Sequence, residues 1–309
     1  MQDAEEANSN NTIIQGLLRR LKPHVVEMGE GHLIADGLFR CITRSAIVKA
    51  FEFACHAQTK VKEPFFATAT LRGVCEDMIT LSFLSSLPNR DEIIGSLIDD
   101  NLQEGLECQT SFFKTNRPGQ PVVRSRPGQR EQAKRNLLNL AKAQRWDRDK
   151  LPTVRKMAKA SGLVELYDYM YSATSKWVHC SPHVLLRMGW SKEPRGEVCA
   201  EKTHWVFSTR QCAAYYRDFN RFYSVYLLDL IVTKFSEEFH DKNDVEEILQ
   251  RLRSEMKSTL RWPELVTFEE LNLDGPTFLQ RILFSVANNE EAAQSDSKHK
   301  EGGLGSTRH

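Results

Sequence analysis

Strand signals are almost absent from this sequence, and so are the motifs of several common enzyme classes. There is no Walker-type phosphate loop, no glycine-rich dinucleotide turn after a strand, and no Gly-x-Ser-x-Gly nucleophile elbow. The seven cysteines are odd in number and form no Cys-x-x-Cys pair, which speaks against a disulfide framework. Several sit in apolar helical runs and read as buried thiols of a reducing compartment. Long hydrophobic runs are also missing. The longest, Tyr226 to Val232, is short and carries Asp229, so no membrane span is expected. Met1 to Asn11 is polar and acidic, without the apolar centre of a secretory signal. These absences together point to the cytoplasm.

Helical periodicity is present nearly everywhere. Thr12 to Met28 is amphipathic, and Leu33 to Gln58 follows it despite Gly37. Pro64 opens a third helix that runs to about Ser86, and Asp91 stands where the N-cap of a fourth belongs, ending near Phe113. Residues 115–129 hold Pro118, Gly119, Pro121, Pro127 and Gly128 and read as a hinge. Arg130 to Arg145, a short piece from Pro152-Thr153 to Gly162, and Leu163 to His179 continue the series, which Ser181-Pro182 interrupts. Residues 189–204 read as a polar surface loop. Arg210 to Phe239, Asp244 to Lys257 and a short piece at Phe278 to Val286 complete it. No internal repeat and no heptad run long enough for a coiled coil is visible. The expectation is an all-α chain: a flexible 1–11, a helical bundle over 12–239, C-terminal helices over 240–287 and a disordered tail from 288 to 309.

The helix from Leu163 carries Tyr167, Tyr171, Ser175 and His179 at every fourth position, a slowly winding polar stripe. On the third helix Arg72 and Glu76 are four apart and share a face with Phe65, Ala69, Ile79 and Phe83. An arginine and a carboxylate inside an apolar stripe persist only when paired or given further polar partners. The economical arrangement sets the two helices face to face, with Arg72 or Glu76 at hydrogen-bond distance from Tyr171, Ser175 or His179. The competing account is a surface ion pair beside a network that only fixes helix register. No metal or cofactor is expected: Pro182 separates His179 from His183, and carboxylates are missing at Glu-x-x-His spacing.

Three short patterns, Leu-Arg-x-x-x-Glu, Pro-Thr-x-x-x-Met-Ala and Tyr-x-x-x-Tyr-Ser-x-x-Ser-x-x-x-His-x-Ser, span roughly residues 40–190. They resemble a bacterial helical family of unknown function akin to abortive-infection and HEPN-like proteins. The resemblance implies a catalytic set of His179, Arg72, Glu76, Ser175 and Tyr171 in a metal-independent ribonuclease of phage defence or toxin type. HEPN ribonucleases carry an Arg shortly before the His on one helix. Here Ser172, Ala173 and Thr174 occupy those positions, so Arg72 has to supply the cation from another helix. In that chemistry His179 moves the proton, Arg72 stabilises the phosphorane, Glu76 orients Arg72, and Ser175 or Tyr171 positions phosphate. The alternative is a non-catalytic helical sensor or interaction module whose cluster is structural or binds a small anion.

The net charge of +1 hides an uneven distribution. From Lys114 to Lys159 fourteen Lys or Arg face three acids, so the remainder is net acidic. With Phe112, Phe113 and Trp146 nearby, Arg124, Arg126, Arg130, Lys134 and Arg135 are the candidate RNA contacts. A solvated face, or a contact with the acidic stretch Ser236 to Glu255 of a second subunit, accounts for the same pattern. The partners expected are RNA, a second copy of the chain, or a protein of the same defence operon.

Overall fold

The segment Phe222 to Val232 is apolar on almost all of its circumference, Ser224 and Asp229 apart, and a helix of that kind has to be covered on nearly every side. In the computed structural model it forms the centre of the bundle. The residues described are 2–31, 36–59, 64–117, 119, 121, 123, 126, 128–147, 150–178, 189–191, 205–210 and 213–257. Their helices are α1 (Gln2–Gly29), α2 (Leu38–Gln58), α3 (Pro64–Ser85), α4 (Arg90–Asn116), α5 (Gln129–Ala143), α6 (Val154–Ala160), α7 (Val164–Val178), α8 (Ala213–Lys234) and α9 (Lys242–Lys257). A short antiparallel pair, β1 (Gly189–Ser191) with β2 (Trp205–Phe207), sets Trp190 opposite Val206. β1 occupies the first residues of the stretch read as a polar loop (189–204) and β2 follows directly after it; three residues each are too few to display a period of two. Among the described residues no helix is long and apolar enough to cross a membrane.

α8 packs against both α2 and α3, and α9 lies along α8 and α1. Val225, Leu227, Leu228, Ile231 and Val232 of α8 are completely buried. Fully burying side chains of this size stabilises by roughly 1.5–3 kcal/mol each. Polar ties fix the register: Asn220 Nδ2 donates to the Pro64 carbonyl at 2.7 Å, and Gln58 Nε2 to the Arg221 carbonyl at 2.9 Å. α9 is amphipathic and sinks Val245, Ile248, Leu249, Leu252 and Met256 into the same core. Its ends are fastened by Arg20 and His24 on Asp244, at 2.9 and 2.7 Å, and by Arg253 on Asp229 at 2.9 Å.

Several boundaries sit where the sequence places them, and others move for identifiable reasons. α3 opens at Pro64, whose missing N–H costs nothing in a first turn. Thr153 caps α6 by accepting from the Lys156 amide. α1 starts at Gln2, inside the stretch expected to be flexible, where Ala4, Glu5, Glu6 and Ala7 are strong helix formers. α2 starts at Leu38 rather than Leu33, because Gly37 at φ +81° stands as its N-cap. Asp91 does not cap its own helix. Its Oδ1 accepts from the Phe39 amide at 2.8 Å and so caps α2, while Asn89 precedes α4. Of the thiols, Cys75 is buried and pushed up to about 12 by desolvation, whereas Cys108 is exposed. The C-terminal piece Phe278 to Val286 and the tail from 288 lie outside the described residues.

Aromatic rings fill the crossing of α7 and α8. The Tyr169 and Tyr223 hydroxyls are 2.8 Å apart, and the Phe219 and Tyr223 rings are 4.6 Å apart. Burial, then the bond to Tyr169, holds the Tyr223 phenol far above its ordinary range.

Two outcomes are expected. Asp91→Ala removes the cap of α2 and lowers stability by about 0.5–2 kcal/mol, which thermal unfolding reads as a drop of a few degrees; an unchanged Tm contradicts the cap. An unfolded chain ionises its tyrosines near pH 10 while folded Tyr223 stays protonated. Stability is therefore full below about pH 10 and declines above it. Tyr223→Phe shifts alkaline unfolding, followed by circular dichroism, to higher pH; an unmoved transition contradicts the assignment.

Candidate functional site

α3 turns Leu71, Val74, Cys75, Met78 and Ile79 into the core, which leaves Arg72 and Glu76 at its edge. α7 packs against that edge, burying Met170, Ala173 and Thr174 and presenting Tyr167 and Tyr171 beside the pair. The face-to-face arrangement of the two helices is therefore present. Arg72 Nε donates to Glu76 Oε1 at 2.7 Å, with the two side chains 25% and 30% exposed. The guanidinium carbon lies 4.7 Å from the Tyr171 ring centroid, and the Tyr171 and Tyr167 rings are 5.5 Å apart at 33°. Glu76, Arg72, Tyr171 and Tyr167 thus form one column, open to solvent on one side.

The contact between helices is a cation–π stack, where a hydrogen bond was expected. A tyrosine offers a ring face as well as a hydroxyl, and the guanidinium carbon stands over the face. The hydrogen bond to Glu76 raises the Arg72 pKa further above its ordinary value, with Tyr171 and Tyr167 adding to it. Burial, then the carboxylate of Glu76, raises the Tyr167 phenol, and Arg72 opposes them. Arg72 is used through Nε; among the described residues Nη1 and Nη2 have no hydrogen-bond partner. That leaves a planar donor fork, held from two sides and half-open.

Of the five residues in the expected catalytic set, the structure brings together Arg72, Glu76 and Tyr171. Ser175 is half-buried one turn further along α7, and His179 lies outside the described residues. Tyr167 belongs to the column although it was not in that set. Its spacing of four before Tyr171 was the available signal. Among the described residues no group of three or more His, Cys, Asp or Glu gathers as a metal site.

The basic segment divides into exposed and engaged groups. Lys134 and Arg135 are exposed on α5, as is Arg126 before it, while Arg124 lies outside the described residues. Arg130 is turned inward: its side chain is 16% exposed, with Nε 3.1 Å from Glu107 of α4. Trp146 packs on Phe83 at 6.2 Å rather than standing among the cations. On α6, Arg155 grips Asp168 of α7 at 2.9 and 3.0 Å, and Lys156 pairs with Asp147. These pairings arise because α5 and α6 pack on acidic neighbours, a fact that a count of charges along the chain does not carry.

A double-mutant cycle with Arg72→Met and Tyr171→Leu is expected to give a coupling energy of about 0.5–1 kcal/mol in denaturant unfolding, the range of a partly exposed cation–π pair. A coupling of zero contradicts the stack.

No curated protein and no solved structure matches the chain. Residues 48–197 match the model of a family of unknown function, DUF5677, a span that takes in Arg72, Glu76, Tyr167, Tyr171 and His179 and leaves out α1, α8 and α9.

Proposed function

We propose that the α3–α7 column is a phosphate site, and that the protein is a cytoplasmic, HEPN-like, metal-independent ribonuclease of bacterial antiviral defence. The observation that carries the reading is the state of Arg72. Glu76 holds it through Nε, the Tyr171 ring lies 4.7 Å from its central carbon, and its terminal nitrogens carry no hydrogen bond from described residues. A guanidinium fixed in this way loses little freedom on meeting a phosphate and matches its geometry with two parallel bonds. Arg155 of α6 stands close enough to feel Tyr167, although its guanidinium is paired with Asp168.

In the proposed reaction His179, four residues after Ser175 in the sequence, takes the proton from the ribose hydroxyl or gives one to the leaving oxygen. Arg72 stabilises the charge that grows on the phosphorane. Glu76 and Tyr171 are positioning residues that act through Arg72, and Ser175 or the Tyr167 hydroxyl orients the substrate. Lys134, Arg135 and Arg126 supply the salt-dependent attraction to the RNA backbone.

A second reading has its own support. Arg72 reaches α7 through a ring face, a contact that fastens one helix to another without using the hydroxyl. On that reading the column is a helix clamp in a non-catalytic module, and any anion it binds is a signal.

The two readings separate in a bacterial host. Wild type, Arg72→Lys and His179→Gln are expressed, and growth and total RNA integrity are followed. The nuclease reading expects RNA loss from the wild type only, with both variants folded and within a few degrees of the wild-type Tm. Lysine keeps the charge but loses the fork, and glutamine keeps part of the hydrogen bonding but cannot carry a proton at neutral pH. Intact RNA in the wild type, or activity in either variant, overturns the nuclease assignment.

A further inference from the structure

We infer that the outward face of α4 is a homodimer interface, on which two copies of this chain pair antiparallel about Gly105. The inference is independent of the nuclease reading. α4 buries Ile93, Ile94, Asp100 and Gln103, against α2 at its start and α5 further along. Its opposite face presents Ile98, Leu102, Gly105, Gln109 and Phe112, all exposed, with Ile98 at 50%, Leu102 at 56% and Phe112 at 60%. Steps of four, three, four and three keep these five positions within one narrow seam, the spacing used where one helix packs on another. Three large apolar side chains aligned on one helix are more than scattered surface hydrophobics.

Two features select a second copy as the occupant. The first is symmetry. Turned end for end about Gly105, Ile98 falls opposite Phe112 and Gly105 opposite Gly105, while Leu102 falls opposite the exposed Cys108 and Gln109 opposite the exposed Asn101. Each large apolar side chain thus has a facing position on the second copy, as a two-fold interface requires. Among the described residues nothing beyond the helix's own neighbouring turns stands within 4 Å of a Cβ built at Gly105, so the axis point is open and lets the two backbones approach closely.

The second is charge. On the first half of α4 the exposed charges are Asp91, Glu92, Asp99 and Glu104, all acidic, whereas at the far end of the hairpin Lys114, Arg117, Arg126, Lys134 and Arg135 are exposed. Antiparallel pairing lays the basic end of each hairpin over the acidic base of the other. Parallel pairing stacks like on like. A seam of this length buries less than a standard interface, so the dimer is a weak one.

The experiment has two arms. Sedimentation velocity of the full chain across about 1–100 µM is expected to show the 35.5 kDa monomer giving way to twice that mass, with added salt weakening the association. Leu102→Glu, on an exposed position, is expected to weaken it about tenfold or more while Tm stays within a few degrees. In the second arm, cysteine is placed at single positions in a Cys108→Ser background and oxidised. Gly105→Cys is expected to cross-link to itself. Ile98→Cys is expected to cross-link to Phe112→Cys in a mixture, but not to itself. A chain monomeric throughout the range overturns the interface, and so does failure of Gly105→Cys to cross-link. Self-cross-linking of Ile98→Cys overturns the antiparallel sense.

Discussion

Because the middle of α8, from Phe219 to Val232, has almost no face that it can show to water, the bundle is built around covering it. Tyr216, Phe219, Phe222, Val225, Leu227, Leu228, Ile231 and Val232 point in all directions from its axis and are all buried. α2 and α3 cover much of its circumference, and α9 is drawn in by its own apolar stripe. This arrangement sets the position of α3, and through it the position of the candidate site. Asn220 of α8 holds the carbonyl of Pro64, so the first turn of α3 is tied to the most buried helix of the fold. Arg72 stands two turns along a helix that has little freedom to move.

The second constraint is the edge left when α3 meets α7. An arginine and a glutamate on the flank of a core helix can pair with each other, but a pair alone in partial exposure contributes little. What makes Arg72 distinctive is the third group. The Tyr171 ring carries one side of the guanidinium while Glu76 takes one edge, and the remaining edge faces outward. Tyr167 closes the column below, its phenol kept protonated by burial and by the adjacent carboxylate. The chemistry of the site therefore rests on the geometry of one planar cation and only secondarily on the polar stripe of α7.

Much of the fold was legible because its signals are local. Pro64, Thr153 and the stripe of α9 mark elements by properties of the chain within a few residues. The misplaced features are all tertiary. Asp91 lies one residue inside its own helix and caps another across the bundle, which no spacing rule reports. Arg130 and Trp146 read as surface groups because a charge count follows the chain, whereas Glu107 and Phe83 reach them through space. The pairing of Arg72 with Tyr171 followed from two polar stripes needing partners. The ring face in place of the hydroxyl did not, since sequence names the side chain and not the side it offers.

The central claim is that Arg72 presents a fixed donor fork to an anion. The direct measurement is the nitrogen-15 NMR spectrum of the arginine side chains during titration with inorganic phosphate. The account predicts saturable shifts of the Arg72 guanidinium resonances that are lost when Glu76 is replaced by Gln. Unmoved Arg72 resonances, with only weak non-saturating shifts at exposed arginines such as Arg135, would contradict it.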